Sequence, residues 1–257
     1  REYAAPDGCD VHDEDAWMIA NPALAEGFMA IDALRSAVAI TPEAEFRIYR
    51  LGQWADGVES WLGPSGGPLW ESLTRPRRKL ADGAPTWVGV DVGLKRDSTA
   101  VVAVQSFGDE FHAVARIWAP ADDKPVDVSD VMQHIRELAG RYELKAVSFD
   151  PRFFDYPAMV LGDEGLPMVE VPQSLERMTA ACGRAYELIR AEQVTHAKDP
   201  VFAQHVLNAR PRFNERGFTL AKSKARGRID ACIALCLALD RAEQRQEPAR
   251  APLVMSW

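Results

Sequence analysis

Trp87-Val88-Gly89-Val90-Asp91-Val92 is an apolar run with one carboxylate near its end, and it is the first of three such runs. The other two, residues 99–104 and 111–118, are apolar or alternating and follow after short turns. Apolar runs of this length between short turns are typical of β-strands that pair with their neighbours in the chain. The stretch from residue 87 to residue 118 therefore predicts three consecutive antiparallel strands.

Helical and strand patterns alternate in the rest of the chain. Residues 128–142 carry apolar side chains at helical spacing, and the fully apolar run at 146–149 predicts a strand. Three antiparallel strands followed by this alternation predict an α/β fold, in which helices flank a mixed sheet of antiparallel and then parallel strands. The remaining predicted elements are helices near 156–161, 175–192, 201–207 and 228–241, a strand at 168–171 and a ribbon at 213–221.

Residues 1–80 have a different pattern, and we expect them to form a small, mostly helical segment. They hold four of the seven Trp residues and a predicted helix at 31–40. A second helix is predicted from Thr41-Pro42-Glu43, because Thr suits an N-cap and Pro suits the first helical position. The basic run at 75–79 and the turn at 82–85 mark a boundary. The sequence therefore predicts two parts, residues 1–80 and residues 81–257.

The composition is that of a globular protein with a substantial core. Of its 257 residues, 47% are apolar and 26% are charged, and the net charge is −8. No stretch approaches the roughly 20 apolar residues of a membrane span, so no membrane contact is expected. The four Cys form no Cys-x-x-Cys pair, which argues against a zinc site. The sequence also lacks a Gly-x-x-x-x-Gly-Lys-Ser/Thr phosphate loop, which argues against ATP hydrolysis by that motif.

Three carboxylates stand at the ends of apolar elements. Asp91 lies at the end of the first strand, Asp150 follows a buried run, and Asp230 lies near the start of an apolar helix. Each of them alone is explained as well by a turn or a helix terminus. Together they predict a site for hard divalent cations, and two such ions can hydrolyse a phosphodiester. Asp97 is expected to shape the turn after the first strand or to act as an auxiliary ligand.

A basic stretch precedes Asp230. Seven basic residues and one acid, Glu215, lie between Arg210 and Arg228. A solvated loop explains this concentration as well as binding of a phosphate backbone does, and the position next to the acids favours DNA binding. The residues predicted to bind DNA are Arg212, Lys222, Lys224, Arg226 and Arg228.

The order of these features resembles the nuclease domain of the large terminase subunit of tailed bacteriophages. The shared features are a strand ending in Asp91, a hairpin, a strand ending in Asp150, and a ribbon that leads into Arg228-Ile229-Asp230-Ala231. Two upstream segments extend the resemblance over nearly the whole chain: residues 15–24, with Trp17 and Ala20-Asn21-Pro22, and residues 46–54, followed by Trp61-Leu62.

This resemblance implies a ribonuclease-H-like fold and a DNA endonuclease that cuts concatemeric viral DNA during packaging with two Mg²⁺ or Mn²⁺ ions. It implies that Asp91, Asp150 and Asp230 are the catalytic, metal-binding acids, and Ala231 stands where the family often has another acid. The packaging ATPase of full-length members has no counterpart in these residues. The implied partners are double-stranded DNA, the portal protein, the small terminase subunit and, in the full-length protein, a ring of copies, in the cytoplasm of the infected bacterium.

Two other classes of function stay open at this point. Val90-Asp91-Val92-Gly93 with Ser98-Thr99 resembles the phosphate-binding hairpin of sugar kinases and actin-like ATPases, although no later Gly-Gly adenosine motif follows. The other class is a non-catalytic module that grips DNA and whose acids are structural. ATP binding without DNA would favour the first class, and salt-sensitive DNA binding without metal-dependent cleavage would favour the second.

Overall fold

The three strands predicted around Asp91 form half of a six-stranded sheet in the computed structural model, which describes residues 3–41, 43–53, 60–63, 65–93, 97–120, 124–222 and 227–244. The strands are β1 (Pro85–Asp91), β2 (Thr99–Phe107), β3 (Glu110–Trp118), β4 (Glu143–Phe149), β5 (Met168–Glu170), β6 (Val194–His196), β7 (Ala209–Asn214) and β8 (Gly217–Lys222). The helices are α1 (Glu14–Ala20), α2 (Pro22–Ala25), α3 (Ile31–Ile40), α4 (Glu43–Arg50), α5 (Gly66–Ser72), α6 (Val128–Arg141), α7 (Pro151–Asp163), α8 (Leu175–Arg190), α9 (Pro200–Asn208) and α10 (Asp230–Gln244). Among these described helices, none has the length and apolar character to cross a membrane.

The sheet has the strand order β5-β4-β1-β2-β3-β6. The pairs β1–β2 and β2–β3 are antiparallel, whereas β1–β4 and β4–β5 are parallel, so the predicted mixed α/β sheet is confirmed. Strand β6, parallel to β3 at the other edge, has no counterpart in the predicted elements. Its three residues are too few to show an alternating pattern.

Among the element boundaries that differ from those that the sequence pattern indicates, three lie in segments that lead to the acids or the basic ribbon. Helix α7 begins at Pro151 rather than near residue 156, because Asp150 caps it by accepting a hydrogen bond from the Arg152 backbone N–H at 3.1 Å. Strand β7 begins at Ala209 rather than at residue 213, since Ala209 pairs with Lys222 at the open end of the ribbon. Helix α10 begins at Asp230, two residues after the predicted start at residue 228.

Helices cover both faces of the sheet because side chains alternate along each strand. Trp87 and Val102 belong to one apolar cluster, together with α8 and α10. Val88 and Val101 belong to the other cluster, together with α6 and α7. Asp91 shares the face of Trp87, so it lies on the side that α10 covers.

Helix α10 packs directly on β1 at Gly89. A Cβ atom at this position would lie 1.9 Å from the backbone oxygen of Ala234, so a larger residue would force the helix away. Asp91 lies two residues further along the same face of β1, and Asp230 lies one helical turn before Ala234. The close packing at Gly89 therefore brings these two carboxylates to the same edge of the sheet.

The first 51 residues have an apolar cluster of their own, which includes the buried side chains of Trp17, Leu34 and Phe46. By contrast, Trp61 and Trp70 belong to the cluster that lies between the sheet and α10. The packing therefore changes between Leu51 and Trp61, and the domain boundary at residue 80 stays a prediction.

Candidate metal and nucleic-acid site

Asp91 and Asp150 lie at the ends of neighbouring parallel strands. Val90 of β1 pairs with Phe149 of β4, and the two aspartates are the next residues along their chains. The carboxyl ends of adjacent parallel strands meet at one edge of a sheet, where open α/β sheets bind their ligands. The fold therefore places the first two predicted site residues side by side.

Asp230 reaches the same edge from above the sheet, at the first turn of α10. Its side chain is buried, with 4% of the residue exposed. The position is fixed in part by His205, whose Nδ1 accepts a hydrogen bond from the Ala231 backbone N–H at 3.1 Å. Burial lowers the pKa of His205, which favours the neutral ring that this acceptor role requires.

A cavity of about 400 Å³ opens between these elements. Asp91 and Asp230 line it, whereas Asp150 does not belong to its lining and acts on Asp91 through its charge. The other side chains on its wall that bear on function are Asp97, Phe153, Gln173 and Lys222. A larger cavity, of about 610 Å³, lies away from the three aspartates, next to Glu187 and Asp240, and carries no strand-end carboxylate.

The carboxylate of Asp91 is destabilised in its charged form. Burial raises its pKa to about 7, and the charges of Asp230 and Asp150 add to that rise. The ammonium group of Lys222 and a hydrogen bond from Gln173 oppose it only in part. Gln173 Nε2 donates to Asp91 Oδ1 at 3.4 Å. An uncompensated negative charge at this position is the condition that a bound cation relieves.

Lys222 partly neutralises the acids. Its Nζ contacts the carboxylate of Asp97 and lies 3.4 Å from Asp230 Oδ1. The hydroxyl of Ser98 donates to the other carboxylate oxygen, Asp230 Oδ2. Lys222 therefore faces the acids, whereas the sequence pattern predicts it as a DNA-binding residue.

Three of the polar residues that support the acids are not among the predicted site residues: Ser98, Gln173 and His205. Gln173 had a usable signal, since it follows β5 and the end of that parallel strand meets the same edge of the sheet. Ser98 and His205 gave no such signal, because their contacts to α10 cross long stretches of chain.

The predicted DNA-binding residues divide into those that the structure describes and those that it does not. Arg212, in β7, is exposed, and Arg228 is half-buried just before α10. Lys224 and Arg226 lie outside the described residues. Of the predicted DNA-binding residues that the structure describes, Lys222, at the end of β8, lies on the cavity wall.

Carboxylate oxygens suit a hard cation. Within the described ranges, no group of three His, Cys, Asp or Glu side chains is close enough to hold a metal ion. The carboxylate oxygens of Asp91, Asp150 and Asp230 are the kind of ligand that a hard divalent ion prefers.

A match to a protein-family model assigns the chain to a family. The model described as the terminase large subunit, endonuclease domain, matches residues 2–124 and 114–246. The chain belongs to this family. This assignment leaves the resemblance of the β1–β2 hairpin to sugar kinases without support.

One similar protein of the terminase family is the large terminase subunit of Enterobacteria phage HK97. It is 27% identical over an alignment of 280 residues, which covers 93% of this chain and 53% of the relative. The crystal structure of the HK97 large terminase has a TM-score of 0.61 to this chain at 25% identity, covering 93% of this chain and 56% of that one. The chain thus spans about half the length of these terminase relatives.

A terminase nuclease from the thermophilic phage G20c has the same fold. Its structure with bound magnesium has a TM-score of 0.55 at 17% identity, covering 74% of this chain and 99% of that one. A second structure of that nuclease, with bound cobalt, has a TM-score of 0.54 at 16% identity, covering 72% and 99%. These likenesses show the ribonuclease-H-like fold of the mixed sheet.

Proposed function

We propose that this chain is a metal-dependent DNA endonuclease that cuts concatemeric viral DNA during genome packaging. One observation carries the proposal: Asp91, Asp150 and Asp230 stand at one edge of the sheet, and their mutual repulsion helps to raise the pKa of Asp91 to about 7. Carboxylates crowded in this way are stabilised by divalent cations. The family assignment, to a terminase endonuclease domain, agrees with that chemistry.

Asp91, Asp150 and Asp230 would hold two Mg²⁺ or Mn²⁺ ions, with Asp97 as an auxiliary ligand. When bound, such ions activate water and stabilise the charge that develops on a phosphodiester. Gln173 orients Asp91, and His205 fixes the first turn of α10, so that Asp230 keeps its place. The magnesium and cobalt of the G20c structures support a divalent cofactor, and Mg²⁺ or Mn²⁺ stays our proposal for this chain.

The basic ribbon would deliver double-stranded DNA to the acids. Arg212 and Arg228 are the described candidates, and Lys224 and Arg226 follow in the same segment of sequence. Lys222 would turn from the acids to a phosphate once metal ions neutralise Asp97 and Asp230. Binding of this kind is independent of sequence and weakens with salt.

The partners follow from the terminase family rather than from contacts of this chain. We propose that the complete protein works with the portal protein and the small terminase subunit, in a ring of copies, inside the infected bacterium. Because this chain spans about half of its HK97 relative, the packaging motor would lie in the other half of the complete protein.

Plasmid cleavage in the presence of Mn²⁺ tests the proposal. Asp91→Asn and Asp230→Asn should each abolish cleavage, because each removes a charged ligand. Asp163→Asn is the matched control, since Asp163 is exposed at the end of α7 and should cleave like the parent. Cleavage at the parent rate by both site variants would refute the assignment.

A non-catalytic DNA-gripping module is the second candidate, and the contacts of Lys222 favour it. A lysine paired with Asp97 and Asp230 is what a structural site without metal would contain. This alternative predicts DNA binding that weakens steeply with salt and no cleavage with Mg²⁺ or Mn²⁺. The plasmid assay, run beside a salt titration of binding, separates the two candidates.

A further inference from the structure

Helix α7 exposes an apolar stripe next to the acids. Phe153, Tyr156 and Met159 are spaced three residues apart, and 61%, 71% and 56% of their respective surfaces are exposed. The opposite face of the same helix packs against the sheet, where Phe154 and Leu161 are buried in the core. The stripe is therefore not needed to hold the helix in place.

The stripe begins inside the candidate site. Phe153 lines the cavity together with Asp91, Gln173 and Asp230. Phe153 also lies in the first turn of α7, the helix that Asp150 caps, so its backbone position is linked to that of Asp150. An aromatic ring thus forms part of the wall of a cavity whose other functional side chains are polar or charged.

The ring faces the path that a substrate strand has to take. A phosphate that reaches Asp91 and Asp230 brings its own sugar and base past the cavity wall. Arg152, the residue before Phe153, is exposed, and no described residue forms an ion pair with it, so its positive charge is available to a phosphate of the strand. Aromatic side chains stack on any base, or wedge between base steps, without reading sequence.

We propose that Phe153 is a positioning residue that packs against a base next to the scissile phosphate, with Arg152 on the neighbouring phosphate. This inference rests on the proposed endonuclease function and adds the nucleotide contact that places the strand. Tyr156 and Met159 continue the same surface along α7, away from the acids.

Substitution of the ring tests the contact through DNA binding. Phe153→Ala should weaken binding of a short duplex in Ca²⁺ by about 10-fold, in the range known for loss of one base–aromatic contact. Phe153→Trp should bind the duplex as tightly as the parent does, because a larger aromatic ring keeps the stacking face. Phe28→Ala is the matched control: 84% of Phe28 is exposed, and it does not line the cavity.

An abasic scan distinguishes stacking from a merely structural effect. Single abasic sites are moved along a duplex, and Mn²⁺-dependent cleavage is measured at each position. The parent should lose rate at one or two adjacent positions, whereas Phe153→Ala should cleave all of these substrates at similar rates. An abasic profile of Phe153→Ala that matches the parent would overturn the inference.

The outcomes separate this inference from the function on which it rests. If the parent cleaves no DNA with Mn²⁺, the proposed endonuclease fails. If the parent cleaves and Phe153→Ala binds and cleaves as the parent does, only the stacking contact fails. A Phe153→Ala protein that is unchanged on DNA but differs from the parent in size-exclusion mass would assign the stripe to a second copy of the chain, and would also overturn the inference.

Discussion

Burial and the neighbouring carboxylates destabilise the charged form of Asp91. It lies where a strand end, a helix start and a neighbouring strand end meet, and burial together with Asp230 raises its pKa to about 7. Among the described residues, Lys222 and Gln173 work in the other direction. Protonation or a cation is therefore needed to remove the repulsion, and the two compete for the same oxygens.

This competition predicts a pH dependence of stability. The ordinary pKa of Asp is about 3.9, so between about pH 4 and pH 7 the folded state binds more protons than the unfolded state. The free energy of unfolding should therefore fall as pH rises through this window, and the stabilisation by Mn²⁺ should grow over the same window. Thermal melts from about pH 5 to about pH 8, with and without Mn²⁺, measure both trends.

Asp91→Asn is the control for that pH dependence. The amide keeps the shape of the side chain but carries no charge to titrate. The variant should melt with a flatter pH profile, and Mn²⁺ should no longer raise its melting temperature. A profile as steep as that of the parent would show that another group is responsible.

Asp150 has two roles that substitution can separate. As the N-cap of α7 it accepts a backbone hydrogen bond, and as a strand-end carboxylate it adds charge beside Asp91. Asp150→Asn keeps the cap, because Asn caps helices as well as Asp does, whereas Asp150→Ala should lose about 1 kcal/mol of stability. Both variants should lose more than about 10-fold in cleavage rate, the lower end of the effects seen even for residues outside a metal's own ligands.

Thermal melts and the plasmid assay together check this separation. Equal melting temperatures for Asp150→Asn and the parent, with cleavage lost only in the variant, are the expected result. Parent-like cleavage by Asp150→Asn would remove Asp150 from the proposed metal ligands and leave it as a helix cap.

At the scale of elements, the contact of β1 with α10 determines where the acids meet. Gly89→Ala would place a methyl group against the backbone oxygen of Ala234, and backbone cannot turn aside as a side chain can. We expect a loss of about 1–3 kcal/mol or more from overpacking. The shift of α10 should also move Asp230 away from Asp91 and weaken Mn²⁺ binding, as measured by calorimetry.

Gly140→Ala is the matched control for Gly89→Ala. Gly140 lies in α6, and no atom lies within 4 Å of the added methyl group apart from its own neighbourhood. Alanine is the better helix former by about 1 kcal/mol, so this variant should be unchanged or more stable. A Gly89→Ala protein as stable as Gly140→Ala would show that α10 can shift away from β1 at little cost in stability.

At the scale of the whole molecule, the aromatic residues before β1 belong to the core of the sheet. The Trp61 ring donates through Nε1 to the backbone oxygen of Val206 at 2.8 Å, and the backbone oxygen of Trp70 lies 2.8 Å from His196 Nε2. Both Trp side chains are buried. The stability of the sheet therefore depends on residues that precede the predicted boundary at residue 80.

Truncation tests this dependence. A chain that begins at residue 60 keeps Trp61 and Trp70 and should fold and cleave. A chain that begins at residue 81 loses both, and loss of one buried Trp side chain alone costs about 3–5 kcal/mol, so this chain should unfold or aggregate. Circular dichroism melts of the two chains give the result, and equal melting temperatures would support the boundary at residue 80.

The sequence by itself determined the order and type of most elements and the three acids that end or begin them. Strand and helix periodicity is a local property, so the run from Trp87 to Val92 and the apolar helix after Asp230 can be read without knowing their partners. The same local rules predict the mixed sheet, whereas the pairing of β1 with β4, which places Asp91 beside Asp150, is a feature of the tertiary structure.

Only the tertiary structure decided which groups support those acids. Ser98 lies 132 residues from Asp230, and His205 lies 26 residues from Ala231, so no short-range pattern connects them. The contact of Ser98 with Asp230 also depends on how closely α10 approaches β1, which Gly89 permits. Local patterns fix which face of an element is buried, whereas the partner at each polar atom is fixed by packing between distant segments.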